Sequence, residues 1–121
     1  MAARLWNSAY LAASSILSHP EGRAALAAAL RGKRLSAAGH ARALAEFEEV
    51  QRELALVGID ESLARQAGEL AEELELRGCD AAHLATALDL GDEDVVLVTW
   101  DGDLSRAAES SGLGVAGIQP R

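Results

Sequence analysis

Residues Val95-Val96-Leu97-Val98-Thr99 form an unbroken, mostly β-branched apolar run. Acidic turn-forming stretches, Gly91-Asp92-Glu93-Asp94 and Trp100-Asp101-Gly102-Asp103, bound it on both sides. Five residues are too few for a stable helix, and the absence of polar alternation predicts a strand buried on both faces of a parallel sheet. Parallel strands cannot be joined by a tight hairpin; they need long crossovers, usually helices. The rest of the chain must therefore supply alternating strands and helices.

The remaining segments do so. Tyr10–Ile16 and Leu54–Ile59 read as short strands, and Val115–Ile118 as a last one. Pro20 suits the start of a helix and Glu21 its first turn, so a helix is expected to about Leu30, closed by Arg31-Gly32-Lys33-Arg34. Ser36 caps a second helix with Leu44, Phe47, Val50 and Leu54 on one face. Asp60 caps a third, striped by Leu63, Ala67, Leu70, Ala71 and Leu74, while Glu69, Glu72, Glu73 and Glu75 lie off the stripe as a solvated face. Gly78 interrupts the pattern, which restarts over Asp80–Leu90, and a final helix runs from Leu104 to about Ser111. The expectation is an α/β fold, with helices on both faces of a mostly parallel sheet. At 121 residues, without internal repeat or linker, it is read as a single domain over 1–121.

With half its residues apolar, the chain is unlike a disordered tail. No apolar run approaches the ~20 residues that span a bilayer, and Asn7 and Ser8 interrupt any leader-like start, so a soluble protein with no membrane role is expected. The single Cys79 excludes an internal disulfide and a Cys-rich zinc site, which suits the cytoplasm. The net charge of −8, from 19 acids against 11 bases, repels phosphate backbones. A nucleic-acid role would need compensation from a bound divalent cation or a basic partner.

Ligands of parallel α/β sheets sit at the carboxyl ends of the strands, and four carboxylates fall there: Glu21, Asp80, Asp101 and Asp103. Like charges gathered at one rim raise each other's pKa unless a cation lies between them. Mg²⁺ or Mn²⁺ fits carboxylate donors, and such an ion can activate water against a phosphodiester. Each acid also has a plain structural explanation. Asp80 and Asp103 suit helix caps, Glu21 complements a helix dipole, and Asp101-Gly102-Asp103 is an ordinary turn composition. Only their joint placement favours a site. His83, three residues after Asp80, is read as a core histidine or one that supports a ligand from behind. His19 is ambiguous, His40 is read as surface, Cys79 as a small buried residue, and Thr99 as a strand end. Arg23, Arg77 and Arg106 flank the acids and could meet phosphates.

Three segments resemble PIN-domain proteins, in particular VapC-type toxins, with the motifs in that family's order. Leu76–Leu88, containing Arg77-Gly-Cys-Asp80-Ala-Ala-His83, is similar to the third-acid segment. Val95–Ala108, with Thr99-Trp-Asp101-Gly-Asp103, is similar to the next acidic motif, and Ala13–Leu26, with His19-Pro-Glu21-Gly, to the segment of the second acid. The resemblance implies a PIN-like three-layer α/β fold and a Mg²⁺- or Mn²⁺-dependent endoribonuclease, the toxin of a toxin–antitoxin pair. Glu21, Asp80 and Asp101 would be catalytic acids of the metal site, with Asp103 an auxiliary metal ligand. An RNA substrate, a cognate antitoxin and a homodimer come with it. The chain departs from the pattern at its start. The family's first strand and its Asp have no counterpart, and Ala2–Ala9 looks like the tail of the helix that follows them. The expectation is thus an N-terminally truncated domain, through a misplaced start or as an inactive remnant that binds an antitoxin or another protein. A phosphotransfer enzyme using Asp101 and Asp103 ranks last, because its nucleophile loop would follow the first strand.

Overall fold

The computed structural model describes residues 12–91, 95–99 and 102–117, and among these strands and helices follow one another in the expected order. They are β1 (Ala13–Ser15), α1 (Ser18–Arg31), α2 (Ala37–Glu53), β2 (Ala55–Val57), α3 (Glu61–Leu74), α4 (Gly78–Asp89), β3 (Val96–Val98), α5 (Gly102–Ser110) and β4 (Gly114–Ala116). The expected caps are in place. Ser36 Oγ accepts from the Gly39 N–H at 3.0 Å, and Asp60 Oδ1 accepts from the Leu63 N–H at 2.8 Å. Each satisfies one of the donors that a helix start leaves without an intrahelical partner.

Three helix starts differ from the sequence expectation, one of them that of α5, which begins at Gly102 rather than Leu104 and so takes Asp103 into its first turn. Helix α1 begins at Ser18 rather than Pro20, which places Pro20 and Glu21 together in its first turn. Helix α4 begins at Gly78, so Asp80 is not its cap; Arg77 holds that position and makes no side-chain cap. Gly78 therefore opens the helix instead of interrupting it. Asp80, third in the helix, is left to project from the first turn.

Pairing is parallel throughout the described strands. β1 lies beside β2, with Ala13 opposite Ala55 and Ser15 opposite Val57; β3 lies beside β4, with Val96 opposite Gly114. These are two separate two-stranded sheets. The expectation that Val95–Thr99 is buried on both faces does not hold. Val96 and Val98 are 47% and 41% exposed, while Leu97 packs on the core. Alternate side chains point to opposite faces of a strand, and only the Leu97 face of β3 meets the helices.

The core is centred on α4. Ala81, Leu84 and Ala85 have no exposed surface, and Ala82 and Ala87 are nearly as buried. Leu63 and Ala67 of α3 pack on one side of this helix, and Leu104, Ala107 and Ala108 of α5 on another. Leu70, Ala71 and Leu74, anticipated on the α3 stripe, are partly buried against the same cluster, and the four glutamates are solvated as expected. Small residues let helix backbones approach closely, which is how a chain with 3% aromatics fills an interior. Helices α1 and α2 form a hairpin at the periphery. No α1 side chain is buried, α2 buries only Gln51, and Val50 of the expected stripe is 44% exposed. No described helix is long and apolar enough to cross a membrane.

Leu84→Ala should lower unfolding free energy by about 3 kcal/mol, because it opens a cavity in the least accommodating part of the core. Asp60→Ala should cost about 1 kcal/mol through loss of the α3 cap. Urea denaturation of the two variants checks both.

Candidate active site

The first turns of α1 and α4 come together through their side chains. Glu21 enters from α1, and its Oε1 is hydrogen-bonded to Nε2 of His83, 62 residues away in sequence. His83 stands one turn along α4 from Cys79 and Asp80, which share the first turn of that helix. Glu21 is thereby placed over the start of α4. The Cys79 thiol reports its presence: its pKa is pushed up chiefly by the negative charge of Glu21, with burial, a hydrogen bond to Glu21 and the charge of Asp80 adding to it, against the lowering effect of Arg77. Two carboxylates from distant segments thus act on one thiol. Cys79 itself is exposed, not the small buried residue expected from its type.

Local backbone choices produce this placement. Gly22 follows Glu21 directly, and a Cβ there would overlap the Phe47 ring of α2, so the absence of a side chain lets α1 settle on α2. His19 stacks on Phe47 with ring centroids 5.8 Å apart, and its Nε2 lies 2.5 Å from Glu48 Oε1. His19 is therefore a tie between α1 and α2. Arg23, on the same helix, reaches Glu48 Oε2 at 3.7 Å. His40 is half-buried rather than at the open surface.

Asp80 is paired with Arg77, whose Nε donates to Oδ2 at 3.0 Å. The Asp80 side chain is only 15% exposed, against 79% for that of Arg77. Asp103, in the first turn of α5, pairs with Arg106 and shares a surface groove with Leu74, Glu75 and Ser110. Asp101 lies outside the described residues. Thr99 is buried, and its N–H donates to the Ala116 carbonyl at 3.0 Å, which extends the β3–β4 ladder.

Among the described residues, no three His, Cys, Asp or Glu side chains are arranged to hold a metal ion. Glu21 and Asp80, which both act electrostatically on Cys79, offer carboxylate oxygens, the donor type preferred by hard divalent cations. In donor chemistry these two suit such an ion, though the described residues alone do not make a complete set of ligands.

The link between Glu21 and His83 was not legible in the sequence. His83 was legible as sharing a helix face with Asp80, but nothing local names a partner 62 residues away. The proximity of Cys79 to Glu21 was missed for the same reason.

Because Glu21 is the main cause of the elevated Cys79 pKa, the thiol should alkylate more slowly at pH 8 than an ordinary exposed cysteine. Glu21→Gln should speed the reaction by lowering that pKa and increasing the thiolate fraction. Iodoacetamide labelling followed by mass spectrometry across pH 7–10 measures both.

The family model described as PIN domain matches residues 2–110. Ribonuclease VapC45 of Mycobacterium tuberculosis (strain CDC 1551 / Oshkosh) is 40% identical over 119 residues, covering 98% of this chain and 83% of the relative. Ribonuclease VapC49 of Mycobacterium tuberculosis (strain ATCC 25618 / H37Rv) is similar to the same extent. No solved structure matches. The parallel strand pairs, the helices between them and these likenesses agree: the chain belongs to the PIN-domain family, in its VapC-type toxin branch.

Proposed function

We propose that the chain is the endoribonuclease toxin of a VapBC-type toxin–antitoxin pair, acting with Mg²⁺ or Mn²⁺. PIN nucleases generally use divalent metal ions. The observation that carries the reading here is that Glu21 of α1 reaches α4, bonding His83 and acting together with Asp80 on the Cys79 thiol. Glu21, Asp80 and Asp101 are the residues we assign to the ion, with Asp103 auxiliary to them. When bound, the ion supplies Lewis-acid stabilisation of phosphoryl charge and lowers the pKa of a coordinated water.

The protein's own residues bind and orient. Glu21 of α1 is held to α4 by His83, and Asp80 is held within the start of α4 by Arg77. Arg77 offsets the Asp80 charge without the ion. Its largely exposed guanidinium is also placed to meet an RNA phosphate, as a planar fork of donors suits phosphate oxygens. A chain of net charge −8 needs such local offsets to accept a polyanion.

The reading brings a cognate antitoxin and a homodimer as partners, and a cytoplasmic site of action. The α1–α2 hairpin, with Leu30 and Val50 exposed and Ala41, Leu44 and Ala45 in a shallow groove, offers the antitoxin apolar surface.

Incubation of the chain with RNA and Mn²⁺ should give cleavage that EDTA abolishes. Glu21→Gln and Asp80→Asn should each reduce the rate by more than about 100-fold, beyond the loss typical of groups that only support a ligand. Absence of cleavage together with tight antitoxin binding would favour a non-catalytic binding module instead.

A further inference from the structure

We propose that His83 is a positioning residue for Glu21, and that its hydrogen bond is what brings the α1 carboxylate to the Asp80 side of the site. The inference rests on the metal-dependent reading above.

The two helices it joins are held very differently. Helix α4 is fixed by its apolar burial: Ala81, Leu84 and Ala85, close to His83 in the chain, have no exposed surface. Helix α1 has no buried side chain and packs chiefly on α2. Its own ties run away from α4: His19 and Arg23 both go to Glu48. Just before α1, β1 packs beside α4 and Leu17 packs on the core, so the backbone at the start of α1 is held near α4 without fixing the direction of the Glu21 carboxylate. The bond from His83 Nε2 to Glu21 Oε1 fixes that direction, and with 21% side-chain exposure the imidazole is set in a partly enclosed place where a hydrogen bond holds better than in open water.

The chemistry has a clear division of labour. A carboxylate accepts and cannot donate, so the shared proton sits on Nε2 and the imidazole donates. One carboxylate oxygen is engaged by the histidine, and the Cys79 thiol also bonds to this carboxylate. Groups that orient a ligand in this way typically change metal affinity by about 10–100-fold when removed. Glutamine is the conservative replacement, because its amide nitrogen donates from about the position of Nε2. Alanine removes the donor altogether.

The test uses the full chain and Mn²⁺ alone, titrated by calorimetry, with thermal melting alongside. We expect His83→Ala to weaken Mn²⁺ binding by about 10–100-fold, and His83→Gln to restore most of it. In Glu21→Gln, where no carboxylate is left to orient, the further change His83→Ala should have little effect on Mn²⁺ affinity. With RNA, His83→Ala should raise the Mn²⁺ concentration needed for half-maximal rate and leave KM for RNA unchanged. If wild type binds Mn²⁺ and His83→Ala binds it equally well, the positioning role is overturned and the metal reading stands. The positioning role also falls if His83→Ala and His83→Gln lose affinity together, in step with falling melting temperature, because that is the mark of a purely structural residue. A wild-type chain that binds no Mn²⁺ overturns the metal reading and this role with it.

Discussion

Burial of α4 is the constraint on which the rest of the structure depends. Its alanines and Leu84 are enclosed by α3 and α5, and the contact is close because the facing residues are small. A helix packed that way has little freedom to rotate or slide, since a well-packed interior tolerates few alternative arrangements. The residues of its first turns inherit that rigidity. Cys79, Asp80 and His83 are therefore presented at a fixed place and angle, though none of them belongs to the core.

The opposing side of the site is built on softer ground. The α1–α2 hairpin contributes Glu21 but buries almost nothing, and it is organised by polar and aromatic contacts among His19, Phe47, Glu48 and Arg23. Like charges drawn together raise each other's energy unless an opposite charge lies between them, so an acidic site built on one rigid and one loosely seated helix depends on polar partners and not on packing. The same arrangement gives polar bridges between the two helices more weight than such exposed contacts usually carry.

Electrostatics and function meet at Asp80. The Asp80 carboxylate is largely shielded and pairs with the exposed Arg77 side chain, so an anion and a cation stand together at the start of α4. Relatives named as ribonucleases are similar across almost the whole chain.

Much of this was written locally in the sequence. Ser36 and Asp60 cap helices because short polar side chains reach N–H groups three residues on. The α3 stripe faces inward because apolar residues recur at helical spacing, and Glu21 was legible in a first helical turn from the Pro20 beside it, whereas Asp80 was read as a cap and lies inside α4, which begins at Gly78. Family membership was legible too, from motifs whose order survives without any coordinates. What local pattern could not decide was everything that depends on which surface covers which. Val96 and Val98 are as apolar as any core residue yet lie open, because burial depends on a neighbouring layer and not on side-chain type. Cys79 is exposed for the same reason. Glu21 meets His83 only because two helices far apart in the chain are brought together by tertiary packing, and no spacing rule reaches across that distance.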